Sequence, residues 1–169
     1  MNHTPINLVI AINRLYVKYA YVMLYSFLCH HPEPVSVYIL HHELTPEDES
    51  TLQTLSQQFA VHISLVYVPD SLLPPPEVLK TSSWGIEAYF RLAITDLLPA
   101  SVDRALYLDT DIIVNAPVYD LYELDFGSKL IAACKEFTCH PPFGNYRDVL
   151  FAPLFEHGFS YFNSGMILY

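Results

Sequence analysis

Arg104-Ala105-Leu106-Tyr107-Leu108-Asp109-Thr110-Asp111-Ile112-Ile113-Val114 holds an apolar run that stops on two acids one residue apart, after which a second apolar run begins at once. The run before Asp109 reads as a buried strand. Carboxylates are rarely buried without a partner. Two of them at the mouth of a core strand repel each other, and a divalent cation is the simplest partner for both. Oxygen-only ligands of this kind suit Mg²⁺ or Mn²⁺, which are often shared with substrate phosphates. The plainer alternative is a strand end whose acids are solvated or cap the next segment, because Asp-x-Asp is a short pattern.

Working outward, strand and helix signals alternate along the 169 residues. Ile6 to Ile12 is a compact apolar run and reads as a buried strand. Tyr16 to Leu28 has apolar residues on more than one helical face, which suits a helix packed on a sheet. Pro32 and Pro34 close it. Val35 to Leu40 reads as a second strand. Thr45-Pro46-Glu47-Asp48 is a helix start with a capping hydroxyl, a first-turn proline and acids at the positive end. Leu52, Leu55 and Phe59 continue it. Val61 to Val68 alternates as a third strand. Pro69 to Pro76 is a proline-rich loop without regular structure. Trp84 to Leu97 reads as a helix ended by Pro99. Leu130 to Cys134 gives a short strand, and Glu136 to Asp148 a loop rich in Pro, Gly and aromatics. Tyr161 to Tyr169 reads as a last strand interrupted at Asn163-Ser164-Gly165.

This alternation predicts an α/β sandwich with a mainly parallel sheet over one domain, residues 1–169. In such sheets ligands bind beyond the carboxyl ends of the strands. Ile12-Asn13 and Asp109 to Asp111 both fall at such ends. The dinucleotide Gly-x-Gly-x-x-Gly and the phosphate-cradling Gly-rich loop with Lys are absent.

Composition narrows the partners. With 52% apolar residues the chain is no disordered segment. Lys and Arg number 8 against 18 Asp and Glu, a formal net charge of −10. So acidic a chain is a poor match for nucleic acid or an anionic membrane surface. A phosphorylated ligand would need a metal ion to offset the repulsion. Cys29, Cys134 and Cys139 suggest no disulfide framework. Cys29 reads as core, and Cys134, Cys139 and His140 lack the spacing and fourth ligand of a zinc site. No secretory signal is visible at the N-terminus. Tyr19 to Cys29 is too short to span a bilayer, so a cytoplasmic protein is expected.

Four segments, in order, resemble glycosyltransferase family 8, whose members have a GT-A fold. They are Leu8 to Ile12 with Tyr16 shortly after, Glu87-Ala88-Tyr89-Phe90-Arg91-Leu92 running into Leu97-Leu98-Pro99, Arg104 to Val114, and Tyr161 to Leu168 around Asn163-Ser164-Gly165. The resemblance implies a retaining transferase that moves a hexose from a uridine diphosphate sugar, UDP-glucose or UDP-galactose, to a glycan, lipopolysaccharide or protein acceptor. It implies that Asp109 and Asp111 hold Mn²⁺ or Mg²⁺ against the diphosphate, where a Lewis acid stabilises the leaving group. It places Ala11, Ile12, Asn13, Tyr16, Arg91, Thr110, Glu136 and Asn163 at the donor, with Tyr16 stacking on the base, and Arg91, Asn163 and Glu136 near the sugar.

Two departures stand out. Where the family commonly has an Asp that reads the uracil edge, this chain has Asn13, which donates as well as accepts. The family's third metal ligand, a His well after the Asn-Ser-Gly strand, has no counterpart, and the chain stops inside an apparent strand. The resemblance therefore implies the nucleotide-binding portion of a longer enzyme, its catalytic and acceptor residues beyond Tyr169, with an exposed sheet edge through which copies associate. His30, His31, His41 and His42 read as solvated loop residues rather than substitute ligands. The alternatives are a nucleotide-sugar-binding protein without turnover and an aspartyl phosphatase with Asp109 as nucleophile.

Overall fold

The computed structural model of the chain describes residues 4–75, 77, 85–135 and 162–169. Strands β1 (Ile6–Ala11), β2 (Val35–His41), β3 (Val61–Tyr67), β4 (Leu106–Leu108), β5 (Ala132–Lys135) and β6 (Phe162–Leu168) form one sheet in the order β3-β2-β1-β4-β6-β5. β3, β2, β1 and β4 run parallel, and β6 is antiparallel to both β4 and β5. From β1 the chain goes to β2 on one side, and later returns to set β4 on the other. That reversal opens a crevice above the carboxyl ends of β1 and β4.

Side-chain alternation builds a core on each face of the sheet. Leu8 and Ile10 of β1, Leu106 and Leu108 of β4 and Leu168 of β6 face one layer. That layer holds α1 (Val17–Leu28), α2 (Pro46–Gln53) and the short α4 (Tyr119–Tyr122). Val9, Tyr107 and Ile167 point the other way, onto Phe90 and Ile94. These belong to a 3-10 helix, Ile86–Ala93, and to α3 (Ile94–Leu97). The result is the three-layer, mainly parallel arrangement the alternation predicts.

The start of α2 closes as a capping box. The Thr45 hydroxyl accepts from Asp48 N, and the Asp48 carboxylate accepts from Thr45 N at 2.9 Å. The Thr45 hydroxyl also donates to Asp48 Oδ2 at 2.7 Å, and that bond first, then the one from Thr45 N, holds the Asp48 carboxyl below the usual range.

Several expectations are corrected. The segment leading to Leu97 is a 3-10 helix before it turns α, and Ile86, Phe90, Ile94 and Leu97 all reach the same core. Trp84 lies outside the described residues. The last strand is one element, Phe162–Leu168, but its ladders pair Phe162 and Met166 to Leu168 and shift register between them, so the expected interruption at Asn163-Ser164-Gly165 is a pairing irregularity rather than a break in the strand. The proline-rich loop contains one 3-10 turn, Asp70–Leu72. Cys29 is exposed, because it falls on the outer face of α1 in line with Val22 and Tyr25, which are exposed too. The zinc alternative falls partly outside the described residues, which include Cys134 but neither Cys139 nor His140.

His31 is buried rather than solvated, at 3% exposure. Its Nδ1 lies 2.7 Å from Phe27 O, and its Nε2 accepts from Val118 N at 2.9 Å. His30, His41 and His42 are half-buried, with contacts to Ser26 O, Leu44 N and the Tyr67 hydroxyl. Short-range chemistry suggests loop histidines there, but packing against α1 and Tyr119 for His31, and against Tyr67 for His41 and His42, covers them.

Candidate donor-binding cleft

A cleft of about 250 Å³ opens at the crevice above β1 and β4. Ala11, Ile12, Asn13, Tyr16, Arg91, Asp109, Thr110 and Asp111 line it. All were expected at one site from segments far apart in sequence. Gly85, Glu87, Ala88 and Tyr107 line it as well. Glu136 lies outside the described residues.

The first wall follows from how β1 ends. After Ala11 the chain turns on Asn13, whose side-chain oxygen accepts from Leu15 N at 3.0 Å and caps the 3-10 turn Arg14–Tyr16. That bond occupies one of the two lone pairs of the amide oxygen. Tyr16 is exposed at the rim, its ring 5.5 Å from that of Tyr19.

The second wall carries the charge. The Arg91 Nη2 donates to Asp109 Oδ1 at 2.9 Å, and the Tyr107 hydroxyl donates to the same oxygen at 2.8 Å. The guanidinium lies over the Tyr107 ring, 4.5 Å from its centre. Its Nε donates to Ala88 O at 2.8 Å, and its Nη1 to Ser164 O. Arg91 thus ties the 3-10 helix, β4 and β6 together, with much of its donor fork taken up by the protein. Burial, ahead of the nearby charges, pushes the Tyr107 hydroxyl far above its ordinary value, so it stays a donor. Burial likewise raises Tyr169, whose hydroxyl donates to Arg91 O at 3.0 Å.

Asp109 and Asp111 are unequal. Asp109 is paired and half-buried, whereas Asp111 is exposed and Thr110 between them is buried. Asp109 Oδ2 looks toward Gly165. A Cβ built on that glycine would lie 2.8 Å from Oδ2 and 3.1 Å from Asn163 Oδ1. The Asp109 N donates to Gly165 O at 2.7 Å, so strand and acid meet closely. Asn163 is exposed and its Oδ1 accepts from Gly165 N at 2.9 Å. It stands beside Asp109, shaping the last strand, and is not among the residues lining the cleft.

Gly165 and Tyr107 escaped the sequence reading of the site. Tyr107 sits on the face of β4 opposite Leu106 and Leu108, so period-2 alternation does place it apart from those two. Only pairing of β4 with β6 sets Gly165 against Asp109.

The model of glycosyl transferase family 8 matches residues 7–169. The chain belongs to that family. A putative glycosyltransferase of Haemophilus influenzae is 23% identical over 163 residues, 96% of this chain and 47% of that protein. The probable galacturonosyltransferase-like 7 of Arabidopsis thaliana is 30% identical over 183 residues, 99% of this chain and 48% of that one. Among solved structures, the galactosyltransferase LgtC with donor and acceptor sugar analogs has a TM-score of 0.76 at 22% identity, covering 96% of this chain and 57% of that one. At that identity the likeness speaks for the fold, which is GT-A. The chain spans about half the length of the relatives it matches. With family 8 membership, the aspartyl-phosphatase alternative falls away.

Proposed function

We propose that residues 1–169 act as one nucleotide-sugar-binding domain of a retaining hexosyltransferase. Its donor is a uridine diphosphate sugar, UDP-glucose or UDP-galactose. Its acceptor is a glycan, lipopolysaccharide or protein. The observation carrying this reading is the convergence of the β1 end, the Arg91 segment and Asp109 to Asp111 on one cleft.

The donor set suits a hard divalent cation. Two carboxylates one residue apart offer oxygen ligands, and the missing side chain at Gly165 leaves Asp109 Oδ2 room. Mg²⁺ and Mn²⁺ sites commonly take one or two carboxylates and complete their shell with phosphate and water. Asp109 and Asp111 would hold Mn²⁺ or Mg²⁺, which as a Lewis acid would stabilise the departing diphosphate. Ala11, Ile12, Asn13 and Tyr16 would hold the nucleoside, Tyr16 by stacking. Arg91 would keep Asp109 in place beside the sugar, with Thr110, Asn163 and Glu136 completing the donor contacts.

Among the described residues no helix is long and apolar enough to cross a membrane. The expected setting is the cytoplasm, at the inner face of the membrane if the acceptor is a lipid-linked glycan. Self-association through an edge of the sheet belongs to the same reading.

Calorimetry with UDP-glucose and UDP-galactose tests the proposal. Binding is expected only with Mn²⁺ or Mg²⁺, and Asp109→Ala and Asp111→Ala should each abolish it. Unchanged binding in both variants would defeat the assignment. A second reading is donor binding without turnover, since the chain spans only about half the length of the relatives it matches. Donor hydrolysis or transfer by this chain at saturating Mn²⁺ excludes it.

A further inference from the structure

Two donors of different kind converge on a single oxygen of Asp109. Arg91 brings a charge, held by Ala88 O and Ser164 O as well as by the acid. Tyr107 brings a neutral hydroxyl from a side chain only 1% exposed, at 2.8 Å. An arginine alone can follow a carboxylate as it rotates, because its several N–H groups offer alternative pairings. The Tyr107 hydroxyl cannot follow, since its ring is packed in the core between the sheet and the Arg91 guanidinium. With Oδ1 fixed from two directions, Oδ2 is left on the side of Gly165, where the absent Cβ would lie 2.8 Å away.

We propose that Tyr107 is a positioning residue: its hydroxyl locks the Asp109 carboxylate so that Oδ2 is presented to a divalent cation. The inference rests on the metal reading above and adds a partner to it. A carboxylate oriented before binding loses little torsional freedom when it takes up a ligand. Partners that orient a metal ligand are typically worth 10–100-fold in metal affinity.

The test is Mn²⁺ alone, titrated into the chain and followed by the electron paramagnetic resonance of free Mn²⁺. Tyr107→Phe keeps the ring beneath Arg91 and removes only the hydroxyl. It should weaken Mn²⁺ binding about tenfold while leaving the thermal midpoint close to that of the parent. Tyr122→Phe is the matched control. Tyr122 is also buried, and its hydroxyl bonds Asn7 N and Arg104 O, away from the cleft. It should leave Mn²⁺ affinity unchanged. A parent chain that binds Mn²⁺ and a Tyr107→Phe variant that binds it equally well overturn the inference alone. Equal weakening in Tyr107→Phe and Tyr122→Phe also overturns it, as a general loss of packing. A parent chain that takes up no Mn²⁺, either alone or with UDP present, overturns the metal reading and this inference together.

Discussion

The segment from Asp109 to Val118 is anchored at both ends, and the two anchorages are built from different chemistry. At its start, Asp109 is held by a cation, Arg91, and by the Tyr107 hydroxyl. At its end, Val118 N donates to the neutral ring of His31, and Val114 N donates to Ser26 Oγ on α1. The His31 ring is stacked on Phe27 at 4.0 Å and meets the edge of Tyr119 at 5.1 Å. Tyr119 in turn donates to Glu33, and burial followed by that bond pushes its hydroxyl up to about 12. Both ring nitrogens of His31 have partners inside the protein, so this end is complete in itself. At the cleft end Asp109 Oδ2 and the exposed Asp111 remain available. One end of the segment is closed within the fold, and the other carries the carboxylate oxygens that we propose for a ligand.

The sharpest way to break this contrast is at Gly165. Gly165→Ala forces a methyl against Asp109 Oδ2, and the carboxylate cannot yield without giving up Arg91 and Tyr107. Donor and Mn²⁺ binding should fall by more than about tenfold, the range for disturbed metal-ligand support, as read by calorimetry. An alanine variant with parental affinity would mean that Asp109 is not held where the structure puts it.

The complementary change is His31→Leu. It leaves Val118 N without its acceptor in a part-buried setting, at a cost of up to about 1–3 kcal/mol. In a chain of this size each kcal/mol lowers the thermal midpoint by roughly 2–4 °C. Mn²⁺ affinity should stay near the parent value, so the two anchorages separate by readout, one in binding and one in melting.

The smallest effect is on pH. Burial, ahead of the other influences, lowers the His31 pKa below its ordinary value. The bond to Phe27 O and the Glu33 charge work the other way, and His30 adds to the lowering. The native state therefore takes up its proton later than the unfolded chain does as pH falls. Stability is full above about 6.5 and declines as pH drops from there toward the lowered native value. His41 shifts in the same direction by burial and adds to the slope. Melting curves between pH 7.5 and 5, set in steps of about half a unit around the ordinary histidine value, should show the decline. His31→Leu should make it shallower without removing it.

Much of the fold is legible because its causes are local. The compact run around Leu8, the alternation of Val61 to Val68 and the Thr45-Pro46 start each specify an element through spacing or capping, and each appears. The Leu106–Leu108 run stops where two acids cannot continue a core strand. The failures have a common origin. Asn163-Ser164-Gly165 looks like a break, and in the sheet it is a shift of register within one strand, flanked by regular pairs on either side. Cys29 and His31 differ in burial although only one residue separates them, because the end of α1 turns one outward and the other beneath α4.

The same division runs through the site. Residue type and position along the strands determined that acids stand at the mouth of β4 and that Asn13 follows β1, since side-chain chemistry and the carboxyl-end rule are properties of the chain itself. The unequal states of Asp109 and Asp111, the anchoring of Arg91 within the protein and the need for glycine at 165 were decided only in three dimensions. Each depends on groups tens of residues apart being brought within hydrogen-bond distance, and the strand order that does this has no signature in local spacing.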